Sequence, residues 1–169
     1  MILCERVRLS GTIEVALPPD EAFSLFTPSG ERGWADGWDP EFPSPTADET
    51  EPGTVFMTAH AGRRTTWTVV RHEGSVAIGY TALTPGERAG LVTVTLEPSR
   101  MGSTVTVNYD LTALAPEANP GLRNFAARYR QFLEHWQASI ARSLARHLLG
   151  TVDSRHVSRR GSSNDRLPS

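Results

Sequence analysis

Residues 119–149 read NPGLRNFAARYRQFLEHWQASIARSLARHLL, and this stretch decides the fold. Leu122, Phe125, Ala126, Tyr129, Phe132, Leu133, Trp136, Ile140 and Leu144 recur three and four residues apart. Arg123, Arg130, Glu134, Gln137 and Arg142 take the other side. That spacing gathers the apolar groups on one face of an α-helix. Asn119 suits the cap, Pro120 the first turn and Gly150 the exit. Arg142, Arg146 and His147 sit where the negative end of a helix favours cations. Residues 120–149 would make a rod of about 45 Å. A helix that long cannot bury one face alone; it needs a surface of similar length beneath it.

The rest of the chain supplies that surface. Val7, Leu9, Gly11, Ile13, Val15 and Leu17 alternate with Arg8, Ser10, Thr12, Glu14 and Ala16, the period of a half-buried strand. Pro18, Pro19, Asp20 and Glu21 end it and open a short helix, whose apolar face is Ala22, Phe23, Leu25 and Phe26. Residues 31–52 hold Trp34, Trp38 and Phe42 among prolines, glycines and acids. They read as a helical turn followed by a stiff loop that the tryptophans pin to the body. Five further strands follow at 54–60, 64–72, 76–83, 90–96 and 103–114, with short Gly- and Pro-containing turns and no helix between them. Such spacing predicts sequential antiparallel pairing.

Composition narrows the classes. At 38% hydrophobic and 21% charged, the chain reads as one ordinary globular domain. Formal net charge is −2; residues 151–169 carry four Arg and two Asp, which leaves the body at −4. Nucleic-acid binders show the opposite balance, so no nucleic-acid partner is expected. No run of apolar residues approaches a membrane span, so no integral membrane segment is expected. Glu5, Arg6 and Arg8 occupy the place where a signal peptide needs an apolar stretch. Cys4 is the single cysteine, so an internal disulfide is impossible and a reducing cytoplasm is the expected compartment. No close His pair or His–carboxylate spacing calls for a metal, and no glycine-rich fingerprint calls for a nucleotide; no cofactor is expected.

The order strand, short helices, five-stranded meander and long C-terminal helix, over residues 7–150, resembles the START-like superfamily, also called SRPBCC. The stretches VALPPDEAF at 15–23, GERGW at 30–34, GWDP at 37–40, TWTV at 66–69 and LEP at 96–98 resemble bacterial members labelled polyketide cyclase/dehydrase. None is a catalytic fingerprint; they mark a fold that hosts many functions. The resemblance implies an α+β helix-grip domain over 1–150: a curved antiparallel sheet of about six strands wrapped around one long C-terminal helix, with two short helices after the first strand. Residues 151–169, polar and without periodicity, read as a disordered tail.

In such a domain the helix roofs a cavity, and binding of a small hydrophobic or amphipathic molecule there is the leading functional expectation. The helix would contribute Phe125, Tyr129, Phe132 and Trp136, and the sheet Trp67, Val69, Tyr80, Val92, Val94 and Tyr109. Strand 54–60 can face inward either as Val55, Met57 and Ala59 or as Phe56, Thr58 and His60, since one residue of slip reverses it; the second set is taken as cavity-lining. Two other functions compete. A polyketide cyclase/dehydrase-type enzyme would need acid/base groups inside, for which Tyr80, Tyr109, Tyr129 and His60 are the candidates. A co-chaperone-like interaction module would show an exposed apolar patch instead. Whether the chain forms a homodimer is open. Asp36 and Asp39 read as turn residues, His72 as a strand-end residue, and His135 as part of the polar helix face.

Overall fold

The computed structural model describes residues 3–158. Six strands form one sheet: β1 (Arg6–Val15), β2 (Val55–His60), β3 (Arg63–Glu73), β4 (Ala77–Thr84), β5 (Arg88–Ser99) and β6 (Gly102–Ala113). Every pairing is antiparallel, and the order across the sheet is β1-β6-β5-β4-β3-β2. The meander from β2 to β6 is therefore sequential, and β1 closes it on the far side against β6. Register settles the two-fold choice in β2. Phe56 pairs with Trp67 and is buried, while Val55 is exposed, so Phe56, Thr58 and His60 face the helix side. A bulge between Val69 and Arg71 turns Val70 out of the ladder and leaves it exposed.

After β1 the chain makes α1 (Pro19–Ala22), which tightens into a 3-10 turn at Phe23–Phe26, and a second 3-10 turn at Gly30–Gly33. Ala22 and Phe26 are buried without exposure and seat this corner on the core. Gly30 is required by contact: a Cβ there would stand 1.7 Å from the Ser24 carbonyl oxygen. The residue type lets the second turn lie directly on the first.

The C-terminal helix differs from the expected single rod. It is divided at Arg128 into α2 (Asn119–Ala127) and α3 (Tyr129–Ser158). Arg128 has φ −104° and ψ 8°, outside helical geometry, although neither proline nor glycine stands there. Packing accounts for the break. Leu122 on α2 buries against Leu111 and Ala113 at the end of β6, whereas α3 carries Tyr129, Leu133 and Ile140 into the main core.

Two further boundaries move. Asn119 does not cap; it is buried, donates to the Leu3 carbonyl at 2.9 Å and accepts from the Glu5 amide at 2.9 Å, tying the N-terminus to α2. Gly150 does not end the helix either, for α3 continues to Ser158. The first residues of the expected tail are thus helical, and 159–169 lie outside the described residues. Among the described residues no helix is long and apolar enough to cross a membrane.

Candidate ligand cavity

A cavity of about 430 Å³ lies between the sheet and α3. Alternation and helical period explain its walls. Positions two apart on β2 to β6 bring Phe56, Thr58, Trp67, Tyr80, Val92, Val94 and Tyr109 to the inner face. Positions 125, 132 and 136 turn Phe125, Phe132 and Trp136 down from α2 and α3. His60, exposed at the end of β2, stands at the rim. The rings brace one another. Phe56 and Trp67 stack with centroids 6.0 Å apart, Trp136 meets Trp34 edge-on at 5.0 Å, and Tyr109 touches Phe125 at 5.3 Å. Such arrays resist collapse because each ring already has its neighbours.

Two expected cavity residues are placed elsewhere. Val69 is fully buried in packed core two positions beyond Trp67. The hollow ends before it, because its cross-strand partner Tyr80 donates its hydroxyl to the Phe26 carbonyl at 2.9 Å and brings that corner down on the sheet. Tyr129 turns toward the β1–β6 side of the sheet, where its hydroxyl donates to the Val107 carbonyl on β6 and its ring lines a separate groove with Gly11, Ile13 and Leu133. Burial pushes both phenols well above their ordinary range.

Several lining groups had no periodic signal in the sequence. Trp34 and Trp38 form one wall, and each indole N–H donates to a carbonyl at 2.7 Å, Trp34 to Leu25 and Trp38 to Pro28. They pin their loop and line the cavity at once. Arg88 enters from the start of β5 with its guanidinium 5.0 Å above the Phe125 ring. Desolvation holds it below the usual arginine value. His135, expected on the polar helix face, is exposed at the rim with Asp36 3.9 Å away. Glu31 is the buried acid among the lining residues and is 7% exposed. The turn chemistry of residues 31–52 gave no reason to single it out.

Polar groups elsewhere in the cavity are mostly engaged. Trp67 donates to the Thr58 hydroxyl at 2.9 Å, Thr65 pairs with Thr84 at 2.7 Å, and Ser139 accepts from Arg142 at 3.0 Å. Among the described residues the Tyr109 hydroxyl has no hydrogen-bond partner, and desolvation raises it well above the usual phenol range. His72, away from the cavity, stacks on Phe23 and meets the Gly74 carbonyl at 3.0 Å. Among the described residues no cluster of three or more His, Cys, Asp or Glu side chains could share a metal ion.

An open antiparallel sheet crossed by a long C-terminal helix, hollow between the two, defines a helix-grip domain. The chain belongs to the family described as polyketide cyclase/dehydrase and lipid transport, whose model matches residues 6–141. Solved structures show the same fold. A protein from Rhizobium leguminosarum aligns over 83% of this chain and 97% of its own, at 15% identity and a TM-score of 0.62. CalU16 from Micromonospora echinospora aligns over 85% of this chain and 80% of its own, at 15% identity and a TM-score of 0.53. DynU16, described as a protein in the dynemicin biosynthetic locus, aligns at 19% identity and a TM-score of 0.56. That alignment covers 83% of this chain and 47% of DynU16. Among curated proteins, none matches by sequence.

Proposed function

We propose that the protein binds one small hydrophobic or amphipathic molecule in the cavity between the sheet and α3. The observation that carries this is the hollow itself. About 430 Å³ is walled by the aromatic rings of Phe56, Trp67, Tyr109, Phe132 and Trp136, an apolar lining suited to an apolar guest. Its size lies within the range of small-molecule sites. The exposed apolar side chains of the outer sheet face favour this reading over an interaction module. Leu91 pairs with Thr81, Leu83 with Thr66 and Val55 with Thr68, so apolar groups are interspersed with threonines. Enzymatic chemistry by tyrosine has a narrower basis than the sequence offered, since Tyr80 and Tyr129 spend their hydroxyls on backbone carbonyls and Tyr109 remains. A cytoplasmic setting, with no nucleic-acid partner, fits the exposed lone Cys4 and the acidic body. Dimerisation is a separate question for solution measurement.

Val94→Trp tests the cavity. Val94 lines it and is 2% exposed, so an indole there would enter the hollow. The wild-type protein is expected to bind 1-anilinonaphthalene-8-sulfonate saturably, near one per chain, with a change in tryptophan fluorescence. Val94→Trp should lose that binding and keep its fold. Absent saturable binding, together with a Val94→Trp protein destabilised by the 1–3 kcal/mol typical of overpacking, would show a filled core.

A further inference from the structure

Glu31 is buried as a residue, yet its carboxyl oxygens are not sealed off and meet no partner among the described residues. Its backbone is fully engaged: the amide donates to the Thr27 carbonyl at 3.2 Å, and its own carbonyl accepts from Trp34 at 3.2 Å and Ala35 at 2.8 Å. With its backbone fixed in this turn, Glu31 places its side chain at the cavity wall. No hydrogen bond or ion pair from the described residues reaches the carboxyl, and its oxygens open onto the hollow. Neighbouring acids behave otherwise. Glu49 accepts from the Ser29 hydroxyl at 2.6 Å and its amide at 3.1 Å, and Asp48 accepts from the Thr50 amide at 2.9 Å. A carboxyl kept only for structure would be satisfied as these are. A carboxyl that the fold leaves unpaired at a cavity wall is free to pair with what enters the cavity.

Its surroundings fix the protonation state. Desolvation pushes the Glu31 carboxyl well above the usual carboxylate range. The other titratable or charged groups around the cavity are Tyr80 from β4, Tyr109 from β6, Arg88 from β5, His60 from β2, His135 from α3 and Asp36 from its own loop. None forms an ion pair with it; Arg88 lies over Phe125, and His135 faces Asp36. A carboxyl without a counter-ion in an apolar site holds its proton to higher pH than one in water. It then offers an O–H donor, and the Tyr109 hydroxyl offers a second.

We propose that Glu31 is the polar anchor of the cavity, and that the ligand class is a neutral molecule with an apolar body and an acceptor oxygen, such as a carbonyl, that takes the Glu31 hydrogen bond with Tyr109 as the second donor. This rests on the binding reading above and deepens it. A cationic amine fits less well, because it would require two desolvated charges beside aromatic walls.

Three naphthalenes of similar shape separate the outcomes: 2-acetonaphthone, 2-ethylnaphthalene and 2-(aminomethyl)naphthalene. Their affinities are read by tryptophan quenching for wild type, Glu31→Gln and Glu31→Leu between pH 5 and 9. The ketone-to-hydrocarbon affinity ratio is expected to be about five- to tenfold higher in wild type than in Glu31→Leu at pH 6, the scale of one hydrogen bond. In wild type the ratio falls as pH rises and Glu31 ionises. In Glu31→Gln the amide still donates but cannot titrate, so the ratio stays high at every pH. The rim imidazoles of His60 and His135 both remain in Glu31→Gln, which assigns the pH dependence to residue 31. A ratio unchanged in Glu31→Leu, or a pH dependence that survives in Glu31→Gln, overturns the anchor while hydrocarbon binding upholds the cavity. Preference for the amine overturns the neutral-acceptor class. If no naphthalene binds the wild-type protein, the cavity reading falls and the anchor with it.

Discussion

One helix, α3, meets the sheet in two different ways. Over β1 it packs closely: Leu133 and Ile140 are buried, and Leu133 reaches so near Gly11 that a Cβ there would stand 2.4 Å from its Cδ1. On the cavity side, one residue earlier along the helix, Phe132 and then Trp136 face open volume. Both contacts are apolar, so hydrophobicity does not separate them. Side-chain size does. A glycine in β1 lets the helix settle on that side, while aromatic rings on the other side hold it off. The close seam fixes where α3 lies, and the hollow is what remains under the side that is propped.

That contrast can be broken by truncating each side in turn. Leu133→Ala should cost about 3 kcal/mol, the scale for a buried leucine whose site cannot collapse. Phe132→Ala should cost about 1 kcal/mol, because one side of the ring already lacks partner atoms. Urea midpoints read both. Equal losses would mean that the hollow side is packed like the seam. Between these two in size, Gly11→Ala should cost about 2 kcal/mol by forcing Leu133 aside. If stability holds, the seam has slack and does not position the helix.

Glu31→Gln probes the hollow side through stability. A carboxyl whose folded value is raised binds its proton more tightly folded than unfolded. Stability is therefore lost as pH climbs from the ordinary glutamate value of 4.5 through the folded value. Glu31→Gln removes that loss, so its thermal midpoint should exceed that of wild type at pH 8 and converge with it near pH 4.5. A constant offset across this range would place the carboxyl in contact with water instead. The smallest effect concerns the end of α3. Leu148 and Leu149 are each 70% exposed, so this stretch belongs to neither contact. Truncation after Gly150 should leave the thermal midpoint nearly unchanged; a drop of several degrees would mean that the removed residues dock.

The sequence shows these regions unequally. Strand alternation and the helical period both come from burial against one common core, so the six strands and the long helix are readable from residue order. The same logic brings Phe56, Trp67, Tyr80 and Tyr109 to one face. Periodicity cannot divide the wide apolar face of the helix into a half that packs and a half that roofs. Tyr129 and Phe132 look equivalent on that face until β1 lies beneath one of them. The break at Arg128 has no local marker either, because it answers two separate patches, Leu111 with Ala113 and the main core. Glu31 and Arg88 were hidden for another reason. Each sits at the edge of a regular element, where charge is ordinary, and only the folded chain brings both to the cavity.

The loop that carries Trp34 and Trp38 also ends the sheet. Glu41 exchanges two backbone hydrogen bonds with Met57 on β2, at 2.8 and 2.9 Å, and Pro40 and Pro43 stand on either side. Proline has no amide hydrogen to offer, so this one-residue bridge cannot lengthen into a seventh strand. The outer rail of β2 is thereby spoken for at its middle, and a foreign strand seeking to zip onto it would first have to pry off a segment held by two indoles. The aromatic wall of the cavity thus doubles as a guard against runaway sheet extension between molecules. Lineages that remodel this loop to admit a different guest would have to keep the blocked rail, or trade a new specificity for a tendency to aggregate.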